Sequence, residues 1–379
     1  MQKKIIALAI ASALTMPAMA MAAPTVYGEV NMAYEITDTG SATNGTGTAA
    51  AKRNNVSSNF SRLGFKGSED LGNGLTGVYQ MEGQVMTDTG NHDLFHENTF
   101  LGLAGDFGTV VLGNHDTPYK LSTRGMDVFE DTIADNRSLM GLGGINLDVS
   151  ATDVLAYLTP NFDGFSAAVA IVGETDNTLA GAATAVNAAI STLAGNPADT
   201  MSTTSVMTLS AQYAQDNWSA VLGHIAINMK NAAPIQTADK VDVTGTKLGG
   251  TYAMDQFAVN GVYEMAALDV SGTKVEQNNL YISGTYAVSD MGTVKLAYTM
   301  AGTIKADGTD IKNSGATQVS LGYDHAMTEN TTLFAAYTSI SNDTNAAYGL
   351  TTEGSTAVAA AGANDDDPSA ISFGVRHSF

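Results

Sequence analysis

From residue 25 onward, apolar and polar positions alternate with a period of two over stretches of about ten residues, the spacing of strands with two unlike faces. Val26, Val30, Met32 and Tyr34 share one face, and Glu29 and Asn31 the other. Leu75, Tyr79 and Met81 alternate in the same way with Gln80 and Glu82, and Leu296 and Tyr298 lie on the face opposite to Lys295. The chain ends on the same pattern: Ile371, Phe373, Val375, His377 and Phe379 on one side, Ser372, Gly374, Arg376 and Ser378 on the other. In a soluble protein this last segment is an edge or core strand. In an outer-membrane barrel it is the closing strand, apolar toward lipid and polar toward a lumen.

The connections decide between these readings. Short polar turns rich in Gly, Asn and Asp fall at 68–74, 105–108, 160–164, 215–217, 254–256, 289–292 and 327–330. Between them run longer, variable stretches near 35–58, 85–94, 115–150, 174–203, 228–244, 267–276, 302–314 and 340–369. Seven turns and eight loops predict sixteen strands, with short connections at one end and long ones at the other. That asymmetry belongs to an all-β, transmembrane antiparallel barrel with short periplasmic turns and long extracellular loops. Tyr213, Tyr252, Tyr286 and Tyr323 recur just before short turns, once per hairpin, as an aromatic girdle at the periplasmic interface requires. A propeller would need four strands in each such repeat. Only 178–195 breaks the period: Leu179, Ala183, Val186, Ile190 and Leu193 fit either a short amphipathic helix or an Ala/Thr/Gly loop.

The N-terminus supplies the address. Lys3 and Lys4 precede an apolar run from Ile5 to Leu14 and small residues at Ala18, Ala20 and Ala22, the plan of a secretory signal peptide over 1–22, leaving the barrel as 23–379. Cleavage after Ala20 is the alternative to cleavage after Ala22. The mature chain keeps 15 of the 17 basic residues against 38 acidic ones, a formal charge of −23, so nucleic acid is not an expected partner. Without cysteine there is no disulfide framework and no thiolate metal site. No apolar run after the leader is long enough for a membrane helix.

Other motifs lose to their surroundings. Gly72-x-Gly74-x-x-Gly77 matches the dinucleotide fingerprint, but period two follows it, so it reads as a hairpin turn. His92 and His96 have zinc spacing only on a helix, and their context is a loop entering a strand. Asp365-Asp-Asp367 lacks the spaced ligands of a calcium loop. No G-x-S-x-G is present, and neither an enzyme nor a cofactor is expected. The stretch 115–150 is much longer than a connection needs. It combines apolar anchors (Tyr119, Leu121, Met126, Val128, Phe129, Ile133, Leu139, Met140) with the carboxylates Asp116, Asp127, Glu130, Asp131 and Asp135. A loop so composed is expected to fold into the barrel, pack on its wall and narrow the channel with acidic side chains.

Several segments then carry a resemblance: Val26-Tyr-Gly28, Ser61-Arg-Leu-Gly-Phe-Lys-Gly-Ser-Glu-Asp-Leu-Gly-Asn-Gly-Leu75, Phe100-Leu-Gly-Leu103, Phe107-Gly-Thr-Val110, Asp116-Thr-Pro118, Asn161-Phe-Asp-Gly-Phe165, Thr331-Thr-Leu-Phe-Ala-Ala-Tyr337 and Arg376-His-Ser-Phe379. Over its mature length the chain resembles the trimeric general porins of Gram-negative bacteria, in particular the beta- and gamma-proteobacterial branch. The resemblance implies a sixteen-stranded barrel, a homotrimer in outer-membrane lipid and lipopolysaccharide, and a third loop folded inward as an eyelet. It also implies that the C-terminal strand (Phe373, Val375, His377, Phe379) is read by the barrel-assembly machinery. Arg62 and Lys66 fit basic wall positions facing the acidic loop, with Arg376 a further inward charge and Glu82 an inward carboxylate. Glu97 and Asn114 stand where relatives often carry arginine, which weakens the basic side.

Function follows as an expectation: a water-filled pore for passive diffusion of ions and small hydrophilic solutes, cation-preferring because of its five loop carboxylates and reduced basic wall. The alternative is a substrate-specific channel on the same barrel. Asp127, Glu130, Asp131 and Asp135 are expected to matter jointly for conductance and selectivity.

Overall fold

The computed structural model describes residues 23–40, 52–90, 92–93, 95–176, 201–231, 240–270, 272–350 and 364–379. The leader at 1–22 and the helical spacing at 178–195 lie outside the described residues. Among the described residues sixteen strands cross the wall: β1 (Thr25–Asp38), β2 in two pieces (Lys52–Ser58 and Arg62–Gly72), β3 (Leu75–Val85), β4 (Thr99–Gly105), β5 (Gly108–Asp116), β6 (Ser150–Leu158), β7 (Phe165–Asp176) and β8 (Met201–Gln215), then β9 (Trp218–Asn231), β10 (Lys240–Met254), β11 (Phe257–Val270), β12 (Thr273–Ala287), β13 (Gly292–Ala301), β14 (Ala316–Ala326), β15 (Thr331–Asn342) and β16 (Ser369–Ser378). Each pairs antiparallel with the next, and β16 pairs with β1 from Glu29↔Ser378 to Asp38↔Ser369, so the sheet closes and has no edge. No helix among the described residues is long and apolar enough to cross a membrane; the crossing is made by strands.

The alternation read from the sequence is the alternation of the wall. Val26, Val30, Tyr34, Leu75, Met81, Leu296 and Tyr298 are exposed on the outer surface, while Asn31, Glu35, Glu82 and Lys295 are buried on the inner side. Outside an isolated barrel there is only lipid to cover those apolar groups, so their exposure marks the membrane face. Tyr252, Tyr286 and Tyr323 point outward beside their turns, joined by Trp218, whose ring lies 5.4 Å from that of Tyr213. The turns are tight because single residues take the left-handed conformation: Asp216 (φ 52°), Asp255 (φ 52°), and at the Gly72–Gly74 hairpin Asn73 (φ 54°). Of the fingerprint-like glycines, Gly72 and Gly74 therefore form the turn between β2 and β3, and Gly77 lies within β3.

The C-terminus closes the barrel beyond its last assigned strand residue. The Phe379 amide and carbonyl both bond to Gly28, each at 3.0 Å, and the Phe379 ring lies where a Cβ on Gly28 would be, 2.6 Å from its Cζ. Glycine in a strand interior weakens it, and here the terminal ring fills the gap from across the β1–β16 junction. The acidic run at 365–367 is likewise structural: Asp367 accepts the Asn342 amide at 2.7 Å, and the Asp366 carbonyl accepts the Asn342 side chain at 2.6 Å.

Candidate pore constriction

The third loop, residues 117–149, leaves β5 and turns into the barrel. Thr117 closes its base, its amide and hydroxyl both donating to the Val149 carbonyl. Thr117 also caps the helix α1 (Pro118–Arg124), accepting the Lys120 amide, with Pro118 at the first turn where its missing N–H costs nothing. The loop then follows the inner wall. Tyr119 donates its amide to Thr208 on β8 and its hydroxyl to Glu264 on β11 (2.6 Å). Ser283 on β12 bonds the Met126 carbonyl, and Tyr281, also on β12, donates to Asp127 (2.8 Å) while accepting the Val128 amide (3.1 Å). The tip reaches the barrel's closing strands, where Arg376 on β16 bonds the Glu130 carbonyl (3.2 Å) and Asn31 on β1 the Asp131 carbonyl (2.8 Å). Gln318 on β14 holds the Ala134 carbonyl, and the returning limb binds through Gly141, whose amide donates to Glu264 (2.6 Å) and whose carbonyl accepts Asn279 (2.6 Å). The apolar anchors Tyr119, Met126, Phe129, Ile133, Leu139 and Met140 are all buried, so this loop is packed against the wall within the lumen.

Of the five loop carboxylates expected to line the pore, Asp127, Asp131 and Asp135 are buried and Asp116 is nearly so, while Glu130 stays exposed. Arg124, the last residue of α1, sits among them. Its guanidinium bonds Glu130 (2.9 Å), Asp131 (2.9 Å) and Asp135 (2.5 and 3.1 Å), with Asp127 at 3.7 Å. Arg137 grips Asp135 from the other side (3.0 and 3.1 Å) and lies 3.5 Å from Asp131. Asp127, Asp131 and Asp135 are buried, and they are further satisfied by backbone amides: Phe129 and Asn136 donate to Asp127, Arg137 to Asp135. Asp116 is paired with Lys120 (2.8 Å) at the top of β5. Glu130 alone among the five keeps substantial exposure, 39% of its side chain. The physical reason is desolvation: a carboxylate packed against a wall must find cations and donors, and two arginines within the same loop supply them.

Titration reflects this arrangement. The two arginines hold the Asp135 carboxyl far below the usual range against the opposing effect of its burial. Burial first, and then the neighbouring Asp135 charge, pushes Asp127 up to about 6, although Arg124 opposes the shift. Burial also pushes Glu130 up to about 7, with Arg124 again opposing and Asp131 and Asp135 adding to the rise. Both groups therefore have carboxyls raised above the usual range by burial and by the negative charge around them.

On the wall, Arg62 and Arg376 flank β1 on its inner face, each with a third of its side chain exposed. Arg62 lies 3.9 Å from Asp131 and Arg376 3.8 Å from Glu29. Lys66 is exposed, its ammonium 4.6 Å from the centre of the Tyr27 ring. Glu82 is buried and accepts the Tyr27 hydroxyl at 2.8 Å, so it supports the wall and does not face the channel openly. Glu97 is half-buried beyond the end of β3, its amide bonded to the Glu82 carbonyl, and Asn114 bonds the His96 carbonyl.

Two groups of residues escaped the sequence reading: the loop cations Arg124 and Arg137, and the wall groups Glu264, Tyr281 and Asn279. The arginines stand in the sequence within a few residues of the aspartates, and that proximity is the signal that could have found them. The wall groups gave no signal, because their partners lie up to 154 positions away.

A closed barrel with an inward third loop is the architecture of known channels, and the comparisons agree. The family profile described as Gram-negative porin matches residues 7–345. The chain belongs to the Gram-negative porins. Among its relatives, outer membrane porin protein 32 of Delftia acidovorans is 28% identical over 394 residues, spanning 100% of both chains. The major outer membrane protein P.IB of Neisseria lactamica is 31% identical over 169 residues, 45% of this chain and 49% of that one. Among solved structures, an anion-selective porin from Comamonas acidovorans superposes with a TM-score of 0.72 at 24% identity, covering 94% of this chain and 99% of that one. OmpT of Vibrio cholerae superposes at 0.69 and 17%, covering 94% and 97%. This porin resides in the outer membrane and forms a channel there.

Proposed function

We propose that this porin is a diffusion channel for ions and small hydrophilic solutes whose constriction weakly prefers anions. The observation that carries the proposal is the unequal exposure of charge: Asp116, Asp127, Asp131 and Asp135 are largely withdrawn from water and, like the more exposed Glu130, lie beside cations of the loop, while Arg62 and Arg376 each keep a third of the side chain exposed and Lys66 reaches water. Charge selects ions where it meets them in a narrow, incompletely screened passage, and pairing and burial within the loop weaken the negative field there. The net charge of the whole chain is a weaker guide, because charges beyond a Debye length of about 8 Å from the passage are screened at physiological salt. The anion-selective porin of Comamonas acidovorans shares the architecture. Expectation of cation preference thus loses its support at the constriction.

The test is the reversal potential across a planar bilayer in a salt gradient. Anion preference is expected for the native channel, and Arg62→Gln with Arg376→Gln should abolish it; a cation preference in the native channel would overturn the proposal. The preference should also fall as pH rises from 5 to 8. The titrating carboxyls have values pushed up to about 6 and about 7, so they are largely neutral below that window and add negative charge above it. A flat profile over that range would count against the pair.

We infer a homotrimeric assembly in lipid and lipopolysaccharide, supported by the resemblance to trimeric porins and by a fold shared with a trimer form of Vibrio cholerae OmpT. Residues 1–22 are proposed as the exported leader and 23–379 as the mature barrel. The outward row Phe373, Val375, His377 and Phe379 is proposed as the signal read during assembly, and it stands exposed on β16. Phe379→Ala should slow the appearance of the compact, heat-modifiable barrel on denaturing gels several-fold.

A further inference from the structure

Four glycines of the inner wall lie directly beneath side chains of the third loop: Gly223 on β9 under Ser122, Gly245 and Gly249 on β10 under Tyr119 and Met126, and Gly322 on β14 under Phe129. A Cβ on Gly245 would stand 2.7 Å from Tyr119 Oη and 2.9 Å from Leu147 Cδ1. One on Gly249 would stand 2.8 Å from Met126 Sδ and 2.9 Å from Val221 Cγ1, and one on Gly322 2.6 Å from Phe129 Cε1. None of the four has a positive φ, so the backbone does not call for glycine; the space does. The outward-facing Gly284 on β12 differs, since a Cβ there would meet nothing closer than the Ala258 carbonyl at 3.5 Å.

We propose that these wall glycines set the width of the pore by fixing how closely the third loop lies against the barrel. A mid-strand glycine costs strand stability, and here it admits loop side chains to the depth of the sheet itself. Phe129 and Tyr119 are completely buried, and both are rigid rings. Tyr119 is held by Glu264, and the Phe129 ring lies 5.0 Å under the Lys295 ammonium. Close-packed interiors pass displacements on and do not absorb them. A methyl group beneath either ring therefore has one direction in which to move the loop, into the lumen. Met126 over Gly249 has a flexible tip and should transmit less. The proposal concerns pore width and is independent of the sign of ion preference.

The decisive variant is Gly322→Ala, read by single-channel conductance and by liposome swelling with sugars of increasing size. Conductance should drop roughly 1.3- to 2-fold, and disaccharides should enter more slowly relative to monosaccharides. Combining Gly322→Ala with Phe129→Leu should restore both, and Gly284→Ala should change neither. Phe129→Leu alone, which adds no bulk and keeps the question answerable if an alanine variant fails to assemble, should widen the size limit. The proposal is overturned if folded Gly322→Ala and Gly245→Ala channels conduct like the native protein, if Gly284→Ala lowers conductance equally, or if Phe129→Leu leaves the size limit unchanged.

Discussion

Replacing Arg124 with glutamine should reverse the preference of the channel, from anions to cations, and make its open current unsteady. Arg124 is the centre of the loop's charge network: Glu130, Asp131 and Asp135 are within hydrogen-bonding distance of its guanidinium and Asp127 lies 3.7 Å away. Three of those carboxylates are buried; Arg137 is left to serve Asp131 and Asp135, and Asp127 loses its nearest cation. Removing one partner from a buried ion-pair network costs about 3–5 kcal/mol, because the remaining charges stay desolvated and unpaired. Part of that cost is avoided if the carboxylates swing into water, and water here is the lumen. Their charge then enters the passage as the sequence reading first supposed. Reversal potential and current noise, measured on the same channels, check both halves of the expectation. Lysine at 124 should be intermediate, since an ammonium cannot span several carboxylates as a planar guanidinium does.

Glu264→Ala should have an effect of similar size by a different route. Its two carboxylate oxygens hold opposite limbs of the loop, Tyr119 on the way in and Gly141 on the way out, each at 2.6 Å. Lys247, buried beside them, bonds Asp148 and lies 3.9 Å from Glu264, with its ammonium 4.5 Å from the centre of the Tyr119 ring. Alanine removes the acceptor of three buried donors, Tyr119, Gly141 and Asn279, and leaves a buried ammonium with one carboxylate fewer, a loss of about 3–5 kcal/mol by the same reasoning. The expected result is a loop that leaves its seat: sub-conductance states and closure at lower voltage. Glutamine retains one acceptor oxygen and should restore part of the native steadiness. An alanine variant as quiet as the native channel would show that the apolar contacts of Phe129, Ile133 and Leu139 suffice to hold the loop.

How much of this was legible follows from the range of each interaction. The barrel was, because lipid outside and water inside impose a two-residue period that survives any detail of packing; Val26, Tyr34, Leu296 and Phe373 face outward as their spacing requires. The turns were, since Asn73, Asp216 and Asp255 carry the left-handed conformation that their residue types tolerate. The inward path of the third loop was legible in outline from its length and its buried apolar anchors. Its charge was not. Counting carboxylates treated Asp127 and Asp135 as free ions, whereas their state depends on Arg124, Arg137 and Tyr281, and the last of these lies 154 positions away from Asp127. Glycines 245 and 322 were ordinary letters in a strand pattern until the loop was seen lying on them.

The central claim is that the loop's own cations and its burial mask the acidic side chains, leaving wall arginines to set selectivity. Reversal potentials of the native channel in a potassium chloride gradient, taken beside a channel in which Asp127, Glu130, Asp131 and Asp135 are all made neutral, test it most directly. The account predicts anion preference in the first and stronger anion preference in the second, where Arg124 and Arg137 lose their partners. A native channel that prefers cations, and loses that preference when the four carboxylates are neutralised, would contradict it.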